Sequence, residues 1–151
     1  MKKVNQERQD YVLVYPATIV PEGTGFVVNF RDLENVFTEA ESYQDALLKA
    51  QEVLDILLLD MAQDDLPIPD SSPCQSGEVN ITVSPEVAVP VLLHRLRMAR
   101  DLSMADVAKT MGVTYQSYQQ IEAGKNITLR SLKRAAAAMG AIVEIRLHTS
   151  V

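Results

Sequence analysis

The chain has 151 residues, 47% of them hydrophobic, and a net charge of −6. That suits one globular domain or two small ones. No apolar run nears the roughly 18 residues of a membrane helix. The polar start Met1–Asp10 lacks the apolar stretch of a signal peptide, and the single Cys74 excludes an internal disulfide and a Cys-rich zinc site. The expected compartment is the cytoplasm. The charge is unevenly spread: residues 1–78 hold five Lys/Arg against fifteen Asp/Glu, and residues 79–151 hold nine against five. A basic half suits a phosphate backbone, and an acidic half suits a basic partner.

In chain order, Tyr11 to Val20 is rich in β-branched and aromatic residues. Pro21–Gly25 follows as a turn and Phe26–Phe30 as a second strand, a hairpin signal. Asn35–Thr38 is short enough for a third strand. Ser42 is placed to cap a helix whose Ala46, Leu47, Ala50, Val53, Leu54, Leu57, Leu58 and Met61 recur at helical spacing. That stripe can cover one face of the sheet. Residues 64–77, with three prolines, three serines and a glycine, read as a connector, and Ile81-Thr-Val83 as a further strand after it. The expected division is 1–63 as a first domain (completed by a strand at 80–83), 64–80 as a linker and 84–151 as a second domain.

From Pro90 the pattern turns helical. A first helix covers Val91–Arg100, with Pro90 in its first turn. Ser103-Met-Ala-Asp106 has capping-box form and opens a second helix that runs to Met111, with Gly112 as the turn. Thr114 caps a third helix ending at Ala123–Asn126. Thr128 caps a fourth, with Leu129, Leu132, Ala136 and Met139 on one face and Gly140 at its end. In the closing stretch Val143, Ile145 and Leu147 alternate with Glu144, Arg146 and His148, the period of a strand. A lone strand after a helical bundle is a sticky edge, and pairing with a second copy makes a two-fold dimer. Pairing with Ile81–Val83 of the same chain is the alternative.

The second and third helices make a helix-turn-helix. At 100° per residue, Tyr118 and Ile121 face Val107, Ala108 and Met111, while Gln116, Gln119 and Gln120 point outward with Tyr115 at the edge. The second helix of such a motif enters the major groove N-terminus first, and glutamine can pair with adenine through both amide groups. Tyr115, Gln116, Gln119 and Gln120 are the candidate base readers. Thr114, Ser117, Lys109, Lys125 and Arg130 are the candidate phosphate contacts, and Arg97 and Arg100 lie nearby on the first helix.

Residues 90–140 resemble the Cro/C1-type helix-turn-helix of phage repressors and antitoxins. Leu102-Ser, Val107-Ala, Met111-Gly-Val-Thr114, Ser117, Ile121-Glu and Gly124-Lys carry the resemblance. The chain departs at Met104, where many relatives place a phosphate-binding glutamine. Residues 15–33, with Phe37-Thr and Ser42–Leu47, are similar to the HicB antitoxin family. They match its Tyr-Pro strand, Gly-aromatic strand, Asp-Leu corner and acid-Ala-Leu helix. Arg31 replaces the corner proline and Ala40 the turn glycine.

The resemblance implies an α+β protein: a partial RNase-H-like sheet of three or four strands with a covering helix, then an all-α helix-turn-helix bundle. It implies a type II antitoxin that covers a HicA-like mRNA-cleaving toxin and represses its own operon. Asp32, Glu34, Glu39 and Glu41 are the acidic candidates for toxin contact. The rival reading is a stand-alone regulator with a ligand-sensing N-terminal domain. An enzyme is not expected: Asp32, Glu34, Glu39, Glu41 and Asp45 offer no strand-centred carboxylate cluster for metal ions, and the chain has no Ser-His-Asp pattern or Gly-rich phosphate loop. No cofactor, metal or membrane partner is implied. His94 and His148 read as surface or interface residues.

Overall fold

A computed structural model describes residues 8–149. Its first element, β1 (Val14–Glu22), forms a two-residue hairpin through Gly23-Thr24 with β2 (Gly25–Phe30). The turn is tighter than the Pro21–Gly25 expected, because Pro21 stays in the ladder opposite Phe26. Proline is tolerated there because β1 has only β2 beside it at that end. The third strand, β3 (Phe37–Ala40), lies slightly later than expected, and β4 (Val79–Thr82) pairs with the start of β1. All pairings are antiparallel, in the order β3-β2-β1-β4.

One face of this sheet is covered by α1 (Tyr43–Gln63), capped by the Ser42 hydroxyl, which accepts from the Asp45 amide. Ala46, Ala50, Leu54 and Leu58 of α1 are buried against Tyr15, Ala17, Val28, Phe30 and Ile81. The register places Ala17 opposite Phe30 and Ile19 opposite Val28, so these side chains share the covered face. The connector does not hang free. Tyr15 donates to the Pro69 carbonyl at 2.6 Å, and Asp32 accepts from the Ser72 amide at 2.7 Å and hydroxyl at 2.8 Å. Arg31 clasps Glu78 at 2.9 Å and donates to the Pro73 carbonyl.

The helical half comprises α2 (Pro85–Ala99), α3 (Met104–Met111), α4 (Tyr115–Glu122) and α5 (Leu129–Ala138). The first of these starts six residues before the expected Val91, so Pro90 lies inside the helix rather than at its start. An interior proline costs about 3 kcal/mol. Tertiary contacts offset it: Ser84, just before α2, donates its amide to Asp55 of α1 at 2.9 Å, and Val87, Ala88 and Val91 join the core beneath α1. The other end of α2 supplies Leu93 and Leu96 to a second core with Val107, Ala108, Tyr118, Ala135 and Met139. Leu129 was expected on the inner face of α5 but is 70% exposed.

The terminal stretch departs from expectation. Residues 141–149 form no strand in the described chain. The sheet edges are β3 and β4, each bonded on one side only, and the terminal stretch pairs with neither in the described chain.

Gly25 is required by close approach: a Cβ there would stand 2.5 Å from the Ala40 carbonyl oxygen. Gly25→Ala should push β3 off the sheet and lower the urea-unfolding free energy by about 1–3 kcal/mol. An unchanged midpoint would show that β3 can shift without cost.

Candidate nucleic-acid interface

The reading helix is set by local signals. Ser103 and Asp106 complete a reciprocal capping box on α3, and Gly112 ends that helix at φ 73°. Only glycine adopts that left-handed turn readily. The Thr114 side chain then caps α4, accepting from the Ser117 amide at 3.1 Å and donating to the Ser117 hydroxyl at 2.9 Å. The Ser117 hydroxyl hydrogen stays free to reach a phosphate.

Tyr115, Gln116, Gln119 and Gln120 are all exposed on one side of α4, with Tyr115 at 50%. Lys109, Lys125 and Arg130 are exposed around them. Among the described residues none of these three forms an ion pair. Met104 opens α3 half-buried against the second core, so it supplies packing at a position where a polar anchor was expected. Arg100 is exposed at the end of α2.

Arg97, the other cation named on that helix, does not face outward. It is 5% exposed and bonded to Glu122, itself 7% exposed, at the end of α4. The guanidinium donates to both carboxylate oxygens through Nε at 3.0 Å and through one terminal nitrogen at 2.9 Å. Its remaining reach goes to the Leu102 carbonyl at 3.1 Å and to Asp65 at 3.2 Å. His94, read from the sequence as a surface or interface residue, is only 2% exposed. Its Nε2 lies 3.0 Å from the Leu66 carbonyl, and its Nδ1 faces Asp65 at 3.4 Å and Glu122 at 3.8 Å. Tyr118 is fully buried beside this cluster, and burial holds its phenol neutral. Sequence reading missed the group because its members lie on three separate elements. The single clue was Glu122, an acid on the apolar side of α4.

Of the acidic candidates, Asp32 is occupied with Ser72, whose backbone amide first of all lowers its pKa. Glu34, Glu39 and Glu41 are exposed. Asp45 serves the start of α1 and pairs with Lys49. Among the described residues no group of three or more His, Cys, Asp or Glu side chains is placed to hold a metal ion. No described helix is long and apolar enough to cross a membrane. His148 is exposed.

Glu122 raises the His94 pKa above 6.5 against the opposing effect of burial, and the Leu66 carbonyl adds to the rise. Burial works to raise the Glu122 pKa, but His94 and Arg97 hold it below the ordinary carboxylate value. The His94 contribution to stability is therefore full below its unfolded pKa and lost as pH rises through its raised folded pKa. The Glu122 contribution is present above its unfolded pKa and lost as pH falls through its lowered one. Urea midpoints measured from about pH 5 to about pH 9 should fall on the alkaline side in the wild type. In His94→Gln that alkaline decline should be absent; an identical decline in both would place its origin elsewhere.

A sequence model described as the HicB-like antitoxin of bacterial toxin–antitoxin systems matches residues 14–93, and one described as a helix-turn-helix matches residues 93–142. Antitoxin HicB 2 of Photorhabdus laumondii is 27% identical over 132 residues, covering 87% of this chain and 94% of the relative. Antitoxin HicB of Escherichia coli K12 is 28% identical over 129 residues, covering 83% of this chain and 93% of the relative. The first match spans more than half of the chain, including the sheet and its covering helix. The chain belongs to the HicB-like antitoxin family and carries a helix-turn-helix behind the antitoxin domain.

Proposed function

We propose that this antitoxin neutralises a HicA-like, mRNA-cleaving toxin by direct binding and represses its own operon by binding operator DNA. The observation that carries the reading is the joining of a HicB-like domain to a helix-turn-helix with an exposed Gln116–Gln119–Gln120 face. It works in the cytoplasm by binding rather than by catalysis. Residues 1–63, completed by β4, engage the toxin; residues 84–151 engage DNA, with 64–80 between them. Tyr115, Gln116, Gln119 and Gln120 read bases. Thr114, Ser117, Lys109, Lys125 and Arg130 contact phosphates.

Operator binding requires two copies. A single short reading helix contacts few bases, and specificity comes from two reading helices about 34 Å apart on successive major grooves. Support for the dimer lies at the C-terminus. Ile142, Ile145 and Leu147 are 95%, 66% and 93% exposed. Beside them runs an apolar groove of about 290 Å³ lined by Leu129, Lys133, Ala137 and Val143 among others. Such a row in water suits a second copy, with Val143, Ile145 and Leu147 as the paired strand.

The double variant Gln116→Ala/Gln120→Ala should lose operator binding in a mobility-shift assay, since each bidentate pair contributes roughly 1–3 kcal/mol. It should still rescue cells from the toxin. Loss of both activities in a folded variant would refute the division of labour. Deleting residues 141–151 should halve the mass in sedimentation and sharply weaken operator binding; unchanged mass and affinity would remove the terminal strand from the dimer.

A further inference from the structure

The face of the sheet turned away from α1 is covered where β1 meets β4, since Pro16 is buried like its neighbours Tyr15 and Ala17, but it is open at the hairpin half. Alternation and register assign the other face without ambiguity. Ala17, Ile19, Phe26, Val28, Phe30 and Ala40 belong to the core or pack against it. Their neighbours along the strands must point the opposite way. Val20 lies opposite Val27, which lies opposite Glu39; Thr18 lies opposite Asn29, which lies opposite Phe37. These two cross-strand rows make an open surface. On it Val20 is 51% and Phe37 63% exposed.

At the hairpin end this surface dips into a groove of about 710 Å³. Its lining includes Glu22, Gly25, Val27, Glu39 and Glu41. Gly25 keeps the floor low. The one cation lining the groove, Lys49, is turned to Asp45 at 3.4 Å and to the Glu39 carbonyl at 3.2 Å. The free carboxylates are therefore not neutralised from within. A strand edge, β3, borders the same surface and pairs only with β2.

We propose that this open sheet face is the docking surface for the basic toxin, with Val20 and Phe37 as apolar anchors and Glu22, Glu39 and Glu41 receiving its cationic side chains. The proposal rests on the toxin-neutralising reading above and moves its centre. Asp32, spent on Ser72, drops out, and Glu22, at the hairpin, enters. Charge selects the occupant. A second copy meeting this face across a two-fold axis would bring like carboxylates together. A basic protein meets them with opposite charge, and an exposed aromatic beside an acidic groove suits a flat cationic surface shaped for RNA.

The test uses the full-length antitoxin and a purified, catalytically inactivated HicA-like toxin from the same operon, with affinity measured by titration calorimetry. Val20→Ser/Phe37→Ser and Glu22→Lys/Glu39→Lys should each weaken binding roughly ten-fold or more. Leu48→Ser/Ile56→Ser, on the exposed side of α1, should bind as wild type. An unchanged urea-unfolding midpoint shows that each variant keeps its sheet folded, and the charge-reversal pair alters only surface side chains. Wild-type affinity in both sheet-face variants, or loss confined to the α1 variant, overturns the docking surface while leaving the antitoxin reading intact. Altered self-association of the toxin-free Val20→Ser/Phe37→Ser variant assigns the face to a second copy and overturns the proposal. Failure of the wild-type chain to bind the toxin overturns the antitoxin reading itself.

Discussion

The buried pairing of Arg97 with Glu122 is the contact on which the arrangement of this protein depends. It joins α2 to the end of the reading helix, and Asp65 and Leu66, just beyond α1, extend it to the antitoxin half. Burying both charges is expensive, and a hydrophobic pair of the same size can be as stable. Removing one partner is a different matter: an uncompensated buried charge costs about 3–5 kcal/mol. The pair therefore acts mainly as a constraint on geometry. It holds Glu122 inward, and since α4 is a rigid helix, holding Glu122 inward keeps Gln116 and Gln120 outward.

The helix α2 is common to both halves. Its first turns lie in the core under α1, its last turns in the core of the helix-turn-helix. Asp55, Asp65 and Asp70 from the acidic half pair with Ser84, Arg97 and Arg95 at three points along or just before it. Tyr11 stacks under Arg95 at 5.6 Å. A displacement of α1 therefore has a mechanical route to the reading helix.

The acidic surplus divides into two groups with different work. Asp32, Asp55, Asp65, Asp70 and Glu78 hold the chain to itself, pinning the proline-rich stretch and α2. Glu22, Glu34, Glu39 and Glu41 remain exposed. Net charge alone could not make this distinction, because it counts a carboxylate in the same way whether or not it has a partner.

Signals acting over a few residues were legible in the sequence. The caps at Ser42, Ser103, Thr114 and Thr128, the left-handed Gly112 and the outward glutamines of α4 all follow from short-range hydrogen bonding and helical periodicity. Contacts between distant residues decided the rest. Pro90 sits inside a helix because Asp55 and the core beneath α1 outweigh its local cost. His94 is buried and Arg97 turned inward because Glu122 lies 25 residues beyond Arg97 in the chain and beside it in space. The sequence by itself determined the helix caps, the element types from β1 to α5 and which face of α4 looks outward, since those depend on pattern. Which charges are free, which part of the sheet is open and that residues 141–149 form no strand depend on what the folded chain brings together, and only the tertiary structure decided them.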